Sequence, residues 1–432
     1  MSKVVIIGGG IIGLSSAYFL RKKGLDVVVI DKGTPGSGCS CGNMGWVCPS
    51  LSEPVPAPGL VKTTLKWMIK KDSPLYIKPA AVPSLFSWLI QFWKFCNEEA
   101  FTSGYNAGLE LSKNTLKLFD ELEENKQLEF ESYRKGLLYV FLKENLIEER
   151  YHELEAAEKI GLPSPQLKTR KQVLEMEPNL INEVKGGVFL PAERHVRPES
   201  LNKGLYNWLV ENGAAILSNS EVQEFIINEE TVVGVRANHE VLAGDQFLVT
   251  TGALAGKLLK KVGYSLPITA GKGYSITISS PSIQIQQPLY LGDSKVAISP
   301  FKDAIRIGGT MELSGLNTNL DLRRIDNLRN SIKRYFKNSI IGKEKIWTGM
   351  RPITPDGLPV LGRLDPYSNL YIGSGHAMSG ISMSLSTGLI LSDLLSEGKS
   401  AIDLKPFSPS RFRVKTRILQ KKTFEETTNH NR

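Results

Sequence analysis

The opening stretch KVVIIGGGIIGLSSAYFLRKKGLDVVVID constrains the fold more than any other part of the chain. Val4 to Ile7 is a β-branched apolar run, the pattern of a strand buried on both faces. Leu14 to Lys23 has helical composition, and Gly24 stands where a C-terminal cap belongs. Leu25 to Ile30 is a second apolar strand that ends at Asp31. This is a βαβ unit with a parallel strand pair, which implies an α/β domain. Gly8, Gly10 and Gly13 fit G-x-G-x-x-G between strand and helix. Gly8 permits the tight turn, Gly10 lets a pyrophosphate approach the backbone, and Gly13 allows close packing of the helix. Asp31 follows at the distance, about 20 residues, where an acid accepts ribose hydroxyls. The unit predicts a bound dinucleotide and does not by itself choose between NAD and FAD.

Further along, residues 49–60 are proline-rich and read as loop, and residues 80–130 turn helical and aromatic. Strands are expected at Gly136–Leu142, Gly187–Leu190, 215–217 and 222–250, and again through 268–312. A charged helix is expected at Glu148–Ile160, others at Leu201–Asn212 and 324–337, and a last one from about Ile381 to Ser396. The α/β pattern at both ends, with β-rich and helical insertions between, predicts two interleaved domains. The expected division gives residues 1–75, 145–270 and 345–432 to the nucleotide-binding domain. Residues 76–144 and 271–344 then form an α+β substrate-binding domain.

A chain of 432 residues suits two connected domains. Four cysteines are too few for a disulfide framework at this length, which points to a reducing compartment. No signal-peptide pattern opens the chain, and no apolar run reaches the roughly 18–20 residues that span a bilayer. The expectation is a cytoplasmic protein. A net charge of +9 is unaccompanied by any nucleic-acid motif, and part of it lies in the basic tail between Arg411 and Lys422. Three cysteines cluster in CSCGNMGWVC, yet a zinc site needs a second pair of ligands. They are read as small side chains in a glycine-bearing loop rather than as metal ligands, a disulfide or a flavin tether.

The C-terminal part reads WTGMRPITPDGLPVLGR at 347–363 and NLYIGSGHAMSGISMSLSTGLILSDLL at 369–395. With the N-terminal unit and FLVTTGALAGKLL at 247–259, this resembles the D-amino acid oxidase superfamily. GNMGWVCP, TLKWMIKKDSPL, GKGYSITI and IRIGGTMELSG resemble its D-amino acid dehydrogenase branch. The resemblance implies a Rossmann-like domain holding non-covalent FAD and a second domain with a large antiparallel sheet. Beside the glycines of the first loop, it implies cofactor contacts at Ile11, Ile12, Asp31, Lys32, Cys39, Ser40, Met44, Gly45, Trp46 and Val222. It adds Gly349 and the run Gly375, His376, Ala377, Met378, Ser379, Gly380, Ile381 and Ser382. A helix N-terminus behind that run would stabilise negative charge on the reduced ring, with His376 as a further donor.

By the same resemblance Arg351, in GMRP, takes the substrate carboxylate, a role suited to its planar and permanently charged fork. The alternative is an arginine paired with an acid. Tyr290, Tyr274 and Arg306 are candidates for the substrate side, against core or solvent positions. Phe301 stands where similar glycine and sarcosine oxidases carry a second arginine, which suggests a larger or more hydrophobic substrate. The implied activity is oxidation of the amine carbon of a D-amino acid or imino acid by hydride transfer to the flavin. Electrons would then pass to quinone or another acceptor. A glycine/sarcosine-type oxidase and a non-enzymatic FAD-bearing electron-transfer subunit are the rivals. Peripheral contact with the inner face of the membrane would fall on Lys66–Lys71 and Trp88–Phe95.

Overall fold

The computed structural model describes residues 2–60 and 75–412. The basic stretch 66–71, most of TLKWMIKKDSPL and the tail beyond Phe412 lie outside the described residues. The opening βαβ unit forms as the sequence dictates. Lys3–Ile7 pairs in parallel with Asp26–Ile30 through register Lys3↔Asp26 to Ile7↔Ile30. The helix between them spans Ile11–Lys22, so it begins at the glycine loop, a few residues before the composition first turns helical.

These two strands are central in a six-stranded sheet. Its order is Ala215–Leu217, Asp26–Ile30, Lys3–Ile7, Gln246–Val249, Leu370–Ser374, Val360–Arg363. All pairings are parallel except the last hairpin. One face is buried under helices Ile11–Lys22, Pro198–Glu211 and Ser384–Glu397, with Leu14, Leu205 and Leu385 in a common core. The other face packs on a three-stranded antiparallel sheet, Val222–Asn228, Thr231–Ala237 and Glu240–Ala243.

The second layer is a nine-stranded sheet that is mainly antiparallel. Strand Thr269–Ser279 is its spine, paired on one side with Ala304–Leu313 and on the other with Lys343–Ile353. Alternation along that spine decides which residues meet the nucleotide domain. Tyr274, Ile276 and Ile278 point back toward helix Leu322–Tyr335, sharing a core with Ile325, Leu328 and Ile332. Gly273 and Ser275 point the other way, toward Arg351 and the loop at Gly42.

The sheets cut across the expected domain division. Gln166–Thr169 and Gly186–Leu190, expected in the nucleotide domain, pair into the large sheet, as does Lys343–Ile353. Helix Thr115–Glu124, expected in the substrate domain, places Leu118, Phe119 and Leu122 in the nucleotide-domain core. The cause is long-range pairing, which local composition does not encode. The Trp88–Phe95 stretch lies largely on helix Val82–Lys94 and turns Trp88 and Phe92 inward, the indole donating 2.9 Å to the Pro267 carbonyl. Two of its four aromatics are thus core, Trp93 and Phe95 are half-buried, and Ile90 in this stretch and Phe86 just before it are exposed. Among the described residues no helix is long and apolar enough to cross a membrane.

Candidate functional site

The glycine loop owes its shape to two close approaches. Gly8 has φ of 110°, and a Cβ there would stand 2.7 Å from the Thr250 carbonyl oxygen. A Cβ on Gly13 would stand 2.0 Å from the Gly8 oxygen, so the helix seats against its own loop only with glycine. At Gly10 the nearest atom to such a Cβ is the Ser40 hydroxyl at 3.5 Å, which leaves that side open. Ser40 accepts the Ile11 N–H at 3.0 Å, and no acid occupies the first turn of the helix. The N–H groups of Ile12 and Gly13, with the helix dipole, therefore remain for an anion. Asp31 accepts from the Gly9 N–H at 2.7 Å and from the Gly33 N–H at 2.8 Å. A carboxylate has about four acceptor sites, so capacity for hydroxyl donors remains.

From this loop a cavity of about 440 Å³ runs along the carboxyl ends of the parallel strands to the edge strand Lys343–Ile353. Gly8, Gly10, Ile11, Ile12, Asp31, Lys32, Cys39, Ser40, Val222, Gly349, His376, Ala377, Gly380 and Ile381 line it. Gly13, Met44, Gly45, Trp46, Gly375, Met378, Ser379 and Ser382 do not. Gly13 and Gly45 are buried packing positions, the latter with φ of 77° against the Val196 carbonyl. Ser382 accepts the Cys48 N–H at 3.0 Å, and Met378 is 51% exposed.

His376 lines the cavity, yet its Nε2 lies 3.0 Å from the Thr387 hydroxyl on the final helix. Burial pulls its pKa down to about 3, so the ring is neutral near pH 7. The final helix begins at Ser384, later than Ile381, and residues 381–383 form a turn before it. Thr251, Asn43 and Trp347 also line the cavity without having been singled out from sequence. Thr251 Oγ1 is buried with no hydrogen-bond partner among the described residues, and the Trp347 ring fills the space that side chains at Gly42 and Gly349 would need. The signal available for Trp347 was its two glycines at close approach, which only the fold brings together.

Arg351 projects over Gly273, where a Cβ would stand 2.3 Å from its Cζ. Its Nη1 donates 2.9 Å to the Thr310 carbonyl, which a bulge at Thr310, φ 57°, turns toward it. No carboxylate pairs with it among the described residues. Burial lowers its pKa from the ordinary arginine value, and arginine nonetheless stays charged. Tyr290 is half-buried beside Trp46 at 6.0 Å and Tyr139 at 4.9 Å, its pKa pushed up to about 12 by burial.

Two expectations on the substrate side are corrected. Tyr274 faces the helix behind the sheet, and its hydroxyl donates 2.6 Å to Glu312, which also pairs with Lys272 at 2.9 Å. Strand period alone puts it on the wrong face. Arg306 has four of its five N–H donors committed, to Thr277, to the Cys41 and Asn43 carbonyls and to Glu199, and it is buried, which makes it a structural arginine rather than a substrate-side one. Phe301 is buried with Arg306 at 5.3 Å and Arg197 at 5.7 Å from its ring, so its apolar character serves those cations and says nothing of the substrate.

The family model described as FAD dependent oxidoreductase, DAO, matches residues 3–394. The chain belongs to this family. A relative of this DAO-family protein is the D-amino acid dehydrogenase of Rhizobium rhizogenes, 30% identical over 420 residues, covering 95% of this chain and 100% of the relative. Among solved structures, glycine oxidase from Geobacillus kaustophilus aligns at TM-score 0.75 and 24% identity, over 95% of this chain and 100% of its own. FAD-bound L-alpha-glycerophosphate oxidase from Mycoplasma pneumoniae aligns at 0.68 and 17%, over 91% and 95%. At these identities the two structures show a shared fold. The DAO-family protein is an FAD-dependent oxidoreductase, and its glycine loop, open Gly10 and unpartnered Thr251 hydroxyl fit that cofactor.

Proposed function

We propose that the protein oxidises the amine-bearing carbon of a D-amino acid, or of a D-proline-type imino acid. The products are an imino acid that water converts to a 2-oxo acid and ammonia, or a cyclic imine. The observation that carries this reading is Arg351: a half-buried guanidinium with one carbonyl partner and no acid among the described residues. A partly desolvated cation without a counter-ion is unfavourable, and an anionic substrate offsets that on binding. The planar fork takes a carboxylate bidentately, which fixes the amine carbon relative to the strand edge at Gly349. The bound flavin supplies the two-electron acceptor. The sequence similarity to a D-amino acid dehydrogenase supports the D-configuration and an acceptor other than oxygen, quinone or another carrier. Tyr290, packed on Trp46 with ring centroids 6.0 Å apart, is the remaining aromatic candidate for the substrate side.

The test is anaerobic. The purified yellow holoenzyme is mixed with D-, L- and N-substituted amino acids while the flavin band is followed. Bleaching by D-amino or D-imino acids, with turnover sustained by a quinone and little peroxide in air, is the expected result. Bleaching confined to glycine or sarcosine with stoichiometric peroxide indicates the oxidase instead. A flavin that no amine bleaches refutes the reading.

A further inference from the structure

Four consecutive carbonyls of the loop after the second strand, those of Cys41, Gly42, Asn43 and Met44, are held by the facing side of the large sheet. Arg306 Nη1 donates to the Cys41 oxygen at 2.9 Å and to the Asn43 oxygen at 2.8 Å. The Ser275 hydroxyl donates to Gly42 at 3.4 Å, and the Ser299 hydroxyl to Met44 at 2.7 Å. A loop rarely offers its carbonyls to one surface in this way, because nothing in its own backbone repeats. Here strand alternation supplies the donors. Ser275 and Thr277 share a face of one strand, and Arg306 pairs with Thr277 on the next.

Arg306 is central to this arrangement and is 3% exposed. Its Nε donates 3.0 Å to Thr277, and its Nη2 is ion-paired with Glu199, in the first turn of helix Pro198–Glu211. The Phe301 ring lies 5.3 Å from its Cζ. One guanidinium thus joins the large sheet, the loop and a helix of the nucleotide domain. The same loop lines the cofactor cavity through Cys39, Ser40 and Asn43. Gly42 presses on the Trp347 ring, which lines it too. With their carbonyls committed, the N–H groups of Gly42 and Met44 have no protein acceptor among the described residues.

We propose that Arg306 is a positioning residue for FAD: it pins the carbonyls of Cys41 and Asn43 to the sheet and so fixes the loop that faces the cofactor. The role is independent of which amine is oxidised. A flexible loop would have to be ordered when FAD binds, at a cost in conformational entropy, whereas a pinned one is ordered beforehand. Lysine cannot reproduce the clamp, because a point charge on a flexible stem does not span two carbonyls while also reaching Thr277 and Glu199.

The test is reconstitution of deflavinated protein with FAD, following the dissociation constant, the visible flavin spectrum and the melting curve of the apoprotein. For Arg306→Lys we expect about tenfold or more weaker FAD binding, on the scale of one lost charge-assisted hydrogen bond. A changed position or resolution of the flavin bands should accompany it. Lowered thermal stability with wild-type affinity and spectrum means that Arg306 merely supports the fold, and overturns the proposal. Wild-type values throughout overturn it equally. Should Arg306→Lys yield no folded protein, Glu199→Gln carries the test, because it alters only the partly exposed partner. It should weaken FAD binding in the same direction, by a few-fold, with the same spectral change, and an unaltered constant and spectrum in that variant reject the proposal.

Discussion

Arg351 and Arg306 are both set into the side of the large sheet that faces the cofactor loop, and their partners separate them. Arg306 meets two carbonyls, a hydroxyl and a carboxylate, whereas Arg351 meets one carbonyl. A cation with spare donors is the one able to bind an anion from solution. Removing Arg351 should therefore cost the substrate its charge-assisted contacts, on the scale of 2–5 kcal/mol, or about 30-fold and upward in kcat/KM. Arg351→Ala should show that loss, and Arg351→Lys a smaller one in which the charge survives but the fork does not. FAD content should stay at the wild-type level in both, since Arg351 does not line the cofactor cavity. Variants that lose their colour on purification would contradict this assignment. Neither arginine's partners were readable in sequence: both arginines stand in glycine-bearing strands, and only the sheet register tells them apart.

At the scale of elements, the opening βαβ unit was legible because all of its determinants are local. Apolar runs, glycine spacing and a terminal acid lie within one strand–helix–strand, and each element falls within a few residues of expectation. The large sheet was legible only in part, because its order depends on which distant strands pair. A strand at Gly187–Leu190 was expected, and it forms as Gly186–Leu190, but its place beside Leu137–Phe141 was not. The glycine loop gives a prediction on this scale. In Gly13→Ala the new methyl would collide with the Gly8 oxygen, and the backbone on both sides has nowhere to move, since Gly8 is itself pressed on Thr250. The helix start should be displaced and FAD lost, leaving a colourless protein. Gly24→Ala is the matched control: φ is 81°, but nothing lies within 4 Å of the added methyl. That variant should lose only about 1 kcal/mol of stability and keep its flavin. Absorbance per polypeptide and a thermal melt check both.

Taken whole, the molecule buries ionisable groups whose titration opposes one another, and this sets its acid response. Glu193 is 2% exposed below the loop that follows Cys48, with its Oε1 accepting from the Ser50 N–H at 3.2 Å and from the Ser50 hydroxyl, the Cys48 thiol beside it, and no hydrogen-bond partner for Oε2 within the geometric limits among the described residues. The neighbouring Arg194 turns instead to Asp120 at 2.8 Å. Burial therefore raises Glu193 from 4.5 to about 7, and it lowers His195 to about 4 and His376 to about 3, both from 6.5. Between pH 4.5 and 6.5 the unfolded chain binds a proton at each histidine that the folded protein excludes, so these two groups make stability fall on acidification. Glu193 acts oppositely. Its folded form holds a proton that the unfolded chain has released, so its contribution is present below the ordinary carboxylate value and is lost as pH rises through 7. Glutamine imitates the protonated acid and does not titrate. Glu193→Gln should thus match the wild type at pH 4.5–5 and become the more stable protein by pH 8. The gap should widen by about 1.4 kcal/mol for each pH unit crossed between those carboxyl values. Urea unfolding of both holoenzymes at several pH values measures the gap directly. A gap that stays constant with pH means that Glu193 is ionised in the fold, held by a partner other than the Ser50 groups.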